Sequence, residues 1–161
     1  MVIRRLPEAR TLRSLIGAGR ARPEDAALAA RFLARFYRGC TPEALPPGTH
    51  AQRFERQLLE SGRVLGDPGL ALGAAGLGRA LDGAAEALER ARPLIEACAA
   101  DGRVVEGHGD LRPEHVFLTD PPAIIDCLEF SRALRLVDPF DEAVFLGLEC
   151  ARFGADWAVE V

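Results

Sequence analysis

A chain of 161 residues, 48% hydrophobic and 27% charged, is long enough for one domain with its own core and is neither disordered nor membrane-embedded in composition. The formal charge of −4 argues against a nucleic-acid surface, no apolar run approaches the roughly 20 residues of a bilayer span, and the Arg-rich start lacks the apolar stretch of a signal peptide. Cys40, Cys98, Cys127 and Cys150 are scattered without Cys-x-x-Cys spacing, which speaks against a zinc site or disulfide framework and for a reducing cytoplasm. All 20 basic residues are arginine. A phosphate-gripping lysine, if the chemistry needs one, lies on another chain or on a missing part of this one.

In chain order, "MVIRRLP" reads as a short strand ended by Pro7. Pro7 to Ile16 reads as helical, stopping at Gly17 and Gly19. "RPEDAALAARFLARFYRG" has Pro23 in the first turn, Glu24 and Asp25 at the positive end of the dipole, and Gly39 as its close. "THAQRFERQLLESG" reads as a helix capped by Thr49 and stopped by Gly62, followed by a loose Gly-rich segment to Gly78. From Leu77 to Ala99 a stripe of Leu77, Leu81, Ala84, Leu88, Ala91, Ile95 and Cys98 predicts a long core helix, kinked or broken near residue 89 by Pro93.

The period then changes. "RVVEG", "HVFLT" and "AIIDC" are short apolar runs, the last two separated by Asp120-Pro121-Pro122, and they predict a small β insert with a tight hairpin. "DPFDEAVFLGLECARFG" restarts a helix capped by Asp138. Ala143, Leu146 and Cys150 are its expected core stripe, with Phe140, Phe145 and Phe153 as further candidates. A strand ending in His108-Gly109-Asp110 presents a carboxylate at a pocket mouth, and "AIID" brings Asp126 near it if the chain folds back as a hairpin. Two carboxylates so placed suit a magnesium-phosphate site, one accepting a hydroxyl proton and the other holding metal. Each also has a plainer use, as a turn or strand-end residue. Glu129 reads as a solvated charge or a partner of Arg132 or Arg135.

"HGDLRPEH" resembles the catalytic loop of the aminoglycoside phosphotransferase family, a branch of the kinase-like fold. "IIDCLEF" resembles that family's metal-binding segment, and "VDPFDEAVFL" the helix that follows it. The resemblance implies an α+β, mainly helical fold: a protein-kinase-like C-terminal lobe whose small β-hairpin carries the catalytic loop. It implies Asp110 as catalytic base, Asp126 as ligand of the Mg²⁺ (or Mn²⁺) that bridges ATP phosphates, and His108 and Asp141 as structural supports of the loop. Where the family has a metal-binding asparagine, this sequence has His115. That residue is compatible with an altered metal preference, a single-metal site or no metal function.

No Gly-rich phosphate loop or lysine strand precedes these segments. The resemblance therefore implies that residues 1–6 are the remnant of a nucleotide lobe and that residues 7–161 form the C-terminal lobe. The expected activity is ATP-dependent phosphorylation of a small-molecule hydroxyl, slow or silent in this chain alone. The family's acceptors span antibiotics, choline-like alcohols and sugars. The alternative is a non-catalytic kinase-like binding module, and a weaker one is a metal-dependent phosphohydrolase. The expected partners are the small-molecule substrate and a nucleotide lobe or second chain that covers an exposed face, with no nucleic acid and no membrane.

Overall fold

The computed structural model describes residues 5–160, so the strand expected at Val2 and Ile3 lies outside the described residues. The fold is mainly helical, with two small antiparallel strand pairs: α1 (Leu12–Gly17), α2 (Pro23–Arg38), α3 (Thr49–Leu65), α4 (Ala74–Ala100), β1 (Val105–Glu106), β2 (Val116–Phe117), β3 (Ala123–Ile124), α5 (Arg132–Arg135), β4 (Leu136–Val137) and α6 (Pro139–Arg152). By contacts the chain divides into two compact units, Met1–Glu43 with Val104–Val161, and Ala44–Arg103. No helix among the described residues is long and apolar enough to cross a membrane.

In the first unit the helix expected from Pro7 to Ile16 is interrupted at Thr11. Glu8–Arg10 is a 3-10 turn, Thr11 pairs with Phe117 beside β2, and its hydroxyl accepts the Ser14 amide at 3.0 Å to cap α1. A threonine that can cap and bridge at once competes well with continued helix. The β2–β3 hairpin pairs Val116 with Ile124 and Phe117 with Ala123, as the apolar runs around Asp120-Pro121-Pro122 predict. β1 pairs not with its sequence neighbours but with β4, a strand that no periodicity announces. Leu12, Leu15, Ile16, Ala29, Leu33, Leu111, Val116, Leu118, Leu146 and Cys150 form the core.

Helix α6 starts as expected, with the Asp138 carboxylate accepting the Phe140 amide at 2.9 Å and Pro139 in the first turn. Its buried face differs from the expected one. Leu146 and Cys150 are inside, but Ala143, Phe140, Phe145 and Phe153 are exposed, while Glu142 and Glu149 are buried. Burial pushes the Cys150 thiol up to about 11, so it is a packed thiol, not a nucleophile. Between α2 and α6 lies an apolar cavity of about 570 Å³, lined among others by Ala30, Leu33, Tyr37, Ala143 and Val144.

The second unit is built on the α3–α4 pair. α3 does not end at Gly62, over which Leu81 of α4 packs: a Cβ there would meet Leu81 Cδ1 in ordinary contact at 3.4 Å. The expected loose segment shrinks accordingly, with α3 running to Leu65 and Pro68–Leu70 forming a 3-10 turn. α4 runs unbroken through Pro93, because packing against α3 holds the helix on both sides of the missing amide. Its stripe is half-buried except for Cys98, which is buried, and Ala84, which is exposed.

Thr49 is the first residue of α3, not its cap. Gly48 stands at the cap with φ 79°, a conformation that glycine adopts without strain. The carboxylate at this helix start comes from α4: Glu96 accepts the Gly48 amide at 2.7 Å and the Ala51 amide at 2.8 Å. The Ala51 and Gly48 amides hold the Glu96 carboxyl below the usual glutamate range. A lowered folded pKa means that its stabilisation is complete above the ordinary glutamate range and is lost as pH falls through the lowered value. Glu96→Gln should therefore cost about 1 kcal/mol at pH 7, and the cost should shrink in acid. Urea midpoints of both proteins at pH 7 and pH 3 measure this; an unchanged difference would contradict it.

Candidate active site

Each neighbour of Asp110 along the chain is fixed. His108 is 7% exposed and Leu111 0%, and Pro113 is likewise fully buried, so the loop is pinned on both sides of the carboxylate. Gly109 has φ +85°, and a Cβ there would lie 2.8 Å from the Leu134 carbonyl oxygen and 3.1 Å from Leu128 Cδ1. Only glycine passes through that gap with that backbone. Asp110 itself is half-buried. Its Oδ1 accepts Arg112 Nε at 2.8 Å, and its second oxygen takes no hydrogen bond from the described residues.

The loop's amides end on one carboxylate. Glu142, 4% exposed near the start of α6, accepts the His108 amide through Oε2 at 3.1 Å and the Gly109 amide through Oε1. The Tyr37 phenol, from α2, donates to the same Oε2. Burial, the Glu142 charge and that hydrogen bond push the Tyr37 phenol far above its ordinary value, so it stays a donor. Glu142 is a support of the loop that the sequence reading does not name; Asp141, the residue before it, is exposed in the first turn. Helical phase is the signal that finds Glu142: it lies four residues before Leu146, on the buried face.

His108 is buried and makes contacts within the loop. Its Nδ1 accepts the Asp110 amide at 3.3 Å, so the proton sits on Nε2, which donates to the Ile125 carbonyl at 2.7 Å. The His115 ring stacks on it with centroids 5.3 Å apart. His115 Nδ1 donates to the Asp110 carbonyl at 2.9 Å, and its Nε2 lies 3.5 Å from Asp126 Oδ2. One imidazole therefore links the Asp110 loop to Asp126. Asp126 is 77% exposed by side chain and has φ 67°, a left-handed conformation that aspartate tolerates better than most residues. That twist ends the run from β3.

The donor set suits a divalent cation shared by Asp126 and His115. Two donors about 2.1 Å from one ion lie roughly 3.0 to 3.4 Å apart at ordinary coordination angles. The observed 3.5 Å is close to that spacing. Among the described residues no group of three metal-ligating side chains forms. Arg132 and Arg135 do not pair with Glu129, which is exposed. Both bind Glu106, and Arg132 also binds Glu43 at 2.7 Å, tying the segment around α5 to β1.

The sequence matches the model of the phosphotransferase enzyme family (APH) over residues 1–157. The chain belongs to that family. Two similar proteins are the uncharacterized protein Rv2004c of Mycobacterium tuberculosis and the uncharacterized protein Mb2027c of Mycobacterium bovis. Each is 44% identical over 55 residues, covering 34% of this chain and 11% of the relative. The chain thus matches about a tenth of the length of these curated relatives. No solved structure matches it.

Proposed function

We propose that the chain forms the acceptor side of an ATP-dependent phosphotransferase, a kinase-like C-terminal lobe whose substrate is a small-molecule hydroxyl. The observation that carries this reading is the link Asp110–His115–Asp126 within a loop held by buried His108, Leu111 and Glu142. Family membership supports the reaction class.

In this reading Asp110 takes the acceptor's hydroxyl proton on the oxygen that Arg112 leaves open. The acceptor oxygen forms the new bond to the γ-phosphorus as the bond to the bridging oxygen breaks, and ADP leaves with that electron pair. Asp126 and His115 hold a divalent cation. Bound there, the cation neutralises charge on the phosphate oxygens. Arg112 steadies the base, and because the sequence has no lysine, arginine is the cation type available to meet phosphate. A phosphate clamp worth about 4 kcal/mol changes a rate roughly a thousandfold, so transfer by these residues by themselves is expected to be slow.

The test is transfer of labelled γ-phosphate from ATP to a panel of amino sugars, sugars and choline-like alcohols over long incubations with Mg²⁺ or Mn²⁺. Labelled product that disappears in Asp110→Asn supports the reading. Folded chain that binds metal-ATP yet labels no alcohol favours the non-catalytic binding module instead.

A further inference from the structure

Resting on the reading of Asp126 and His115 as cation ligands, we infer that this centre prefers a borderline transition ion of the Co²⁺ or Zn²⁺ class to Mg²⁺. Two observations converge on His115. The Asp110 carbonyl at 2.9 Å takes the Nδ1–H, which leaves Nε2 as the ring nitrogen that can bind a metal. That nitrogen lies 3.5 Å from Asp126 Oδ2, an ion-pair contact if the ring is protonated and a separation close to that of two ligands on one cation. The bond from Nδ1–H to a backbone carbonyl is also the outer support that metal-binding histidines commonly have, fixing the ring and raising the basicity of the free nitrogen.

The rest of the environment keeps the ring in this pose. The side chain is 13% exposed, it stacks on His108 at 5.3 Å, and its own carbonyl accepts the Ile125 amide at 3.2 Å, next to Asp126. The nitrogen is thus presented without a large loss of rotamer freedom on binding. Mg²⁺ favours oxygen donors in near-ideal octahedral geometry and gives up water reluctantly, whereas imidazole nitrogen suits later, softer divalent ions. With one nitrogen and one carboxylate from the chain, the open positions remain for water or phosphate oxygens, so selectivity follows from the nitrogen.

The test titrates the full chain, in a Cys127→Ser background because that exposed thiol adjoins Asp126, with Co²⁺, Zn²⁺ and Mg²⁺ separately by calorimetry. Proton NMR of the Co²⁺ form follows the His115 ring. The expected results are affinities for Co²⁺ and Zn²⁺ at least tenfold above that for Mg²⁺, and a strongly shifted, exchangeable Nδ1–H signal. His115→Asn should remove that signal and bring the three affinities within a few-fold of one another. Equal affinities in the parent chain, ring signals unmoved by Co²⁺, or no metal binding at all would overturn the inference. Phosphoryl transfer is read separately: selective metal binding without transfer over long incubations would count against the catalytic reading and leave this one standing.

Discussion

Glu142→Ala will lower the stability of the chain by about 3 kcal/mol or more and release the Asp110 loop. The substitution leaves three donors, the Tyr37 phenol and the His108 and Gly109 amides, in a buried place without their acceptor. Each buried donor left unsatisfied costs about 1–3 kcal/mol. Water can re-enter the cavity of a missing carboxylate and recover part of this, so the lower end of the sum is the expected one. Glu142→Gln keeps an oxygen for part of the set and should lose roughly half as much. Urea unfolding gives the stabilities, and amide exchange at His108 and Gly109 reports the loop. A loss below about 1 kcal/mol with unchanged exchange would show that the loop is held by its buried neighbours alone.

The second large effect concerns chemistry without stability. Asp110→Asn keeps the shape of the side chain and an oxygen for Arg112, but removes the carboxylate that accepts the hydroxyl proton. A positioned general base contributes about 10²- to 10⁴-fold, so transfer should fall by that factor. Metal-ATP affinity should stay within a few-fold, since Asp110 is not among the proposed cation ligands. The urea midpoint should move little, because Asp110 is half-buried and the side chain that donates to it is the partly exposed Arg112. Transfer rates and nucleotide affinities measured on the same preparations separate the two effects. Equal transfer by both proteins would remove Asp110 from the chemistry.

Much of this site is legible in the sequence because its parts are local. A glycine between two polar residues, an aspartate after an apolar run, and Asp-Pro at a helix start each follow from backbone rules that act over a few residues. The same is true of α2, whose stripe, first-turn acids and closing glycine agree. The parts that sequence reading misses depend on distant partners. Glu142 is chosen over Asp141 by which face of α6 is buried, a face set by α1, α2 and Leu111. Glu96 serves α3 from 45 to 48 residues away, so Thr49 presents the local signal of a cap that Gly48 and α4 supply instead. The strand β4 is two residues long and exists because β1 needs a partner. Exposed Phe140 and Phe145 follow the same lesson: aromatic residues at helical spacing do not say which side faces inward.

The proposed function turns on whether Asp126, largely exposed and twisted into a left-handed conformation, holds metal and nucleotide or merely ends a strand. The direct measurement is calorimetric binding of ATP to this chain with and without a divalent cation, repeated with Asp126→Ala. The account predicts binding that requires the cation and falls at least tenfold in the variant, with both proteins equally folded. ATP binding that is indifferent to the cation, or equal in the two proteins, would contradict it.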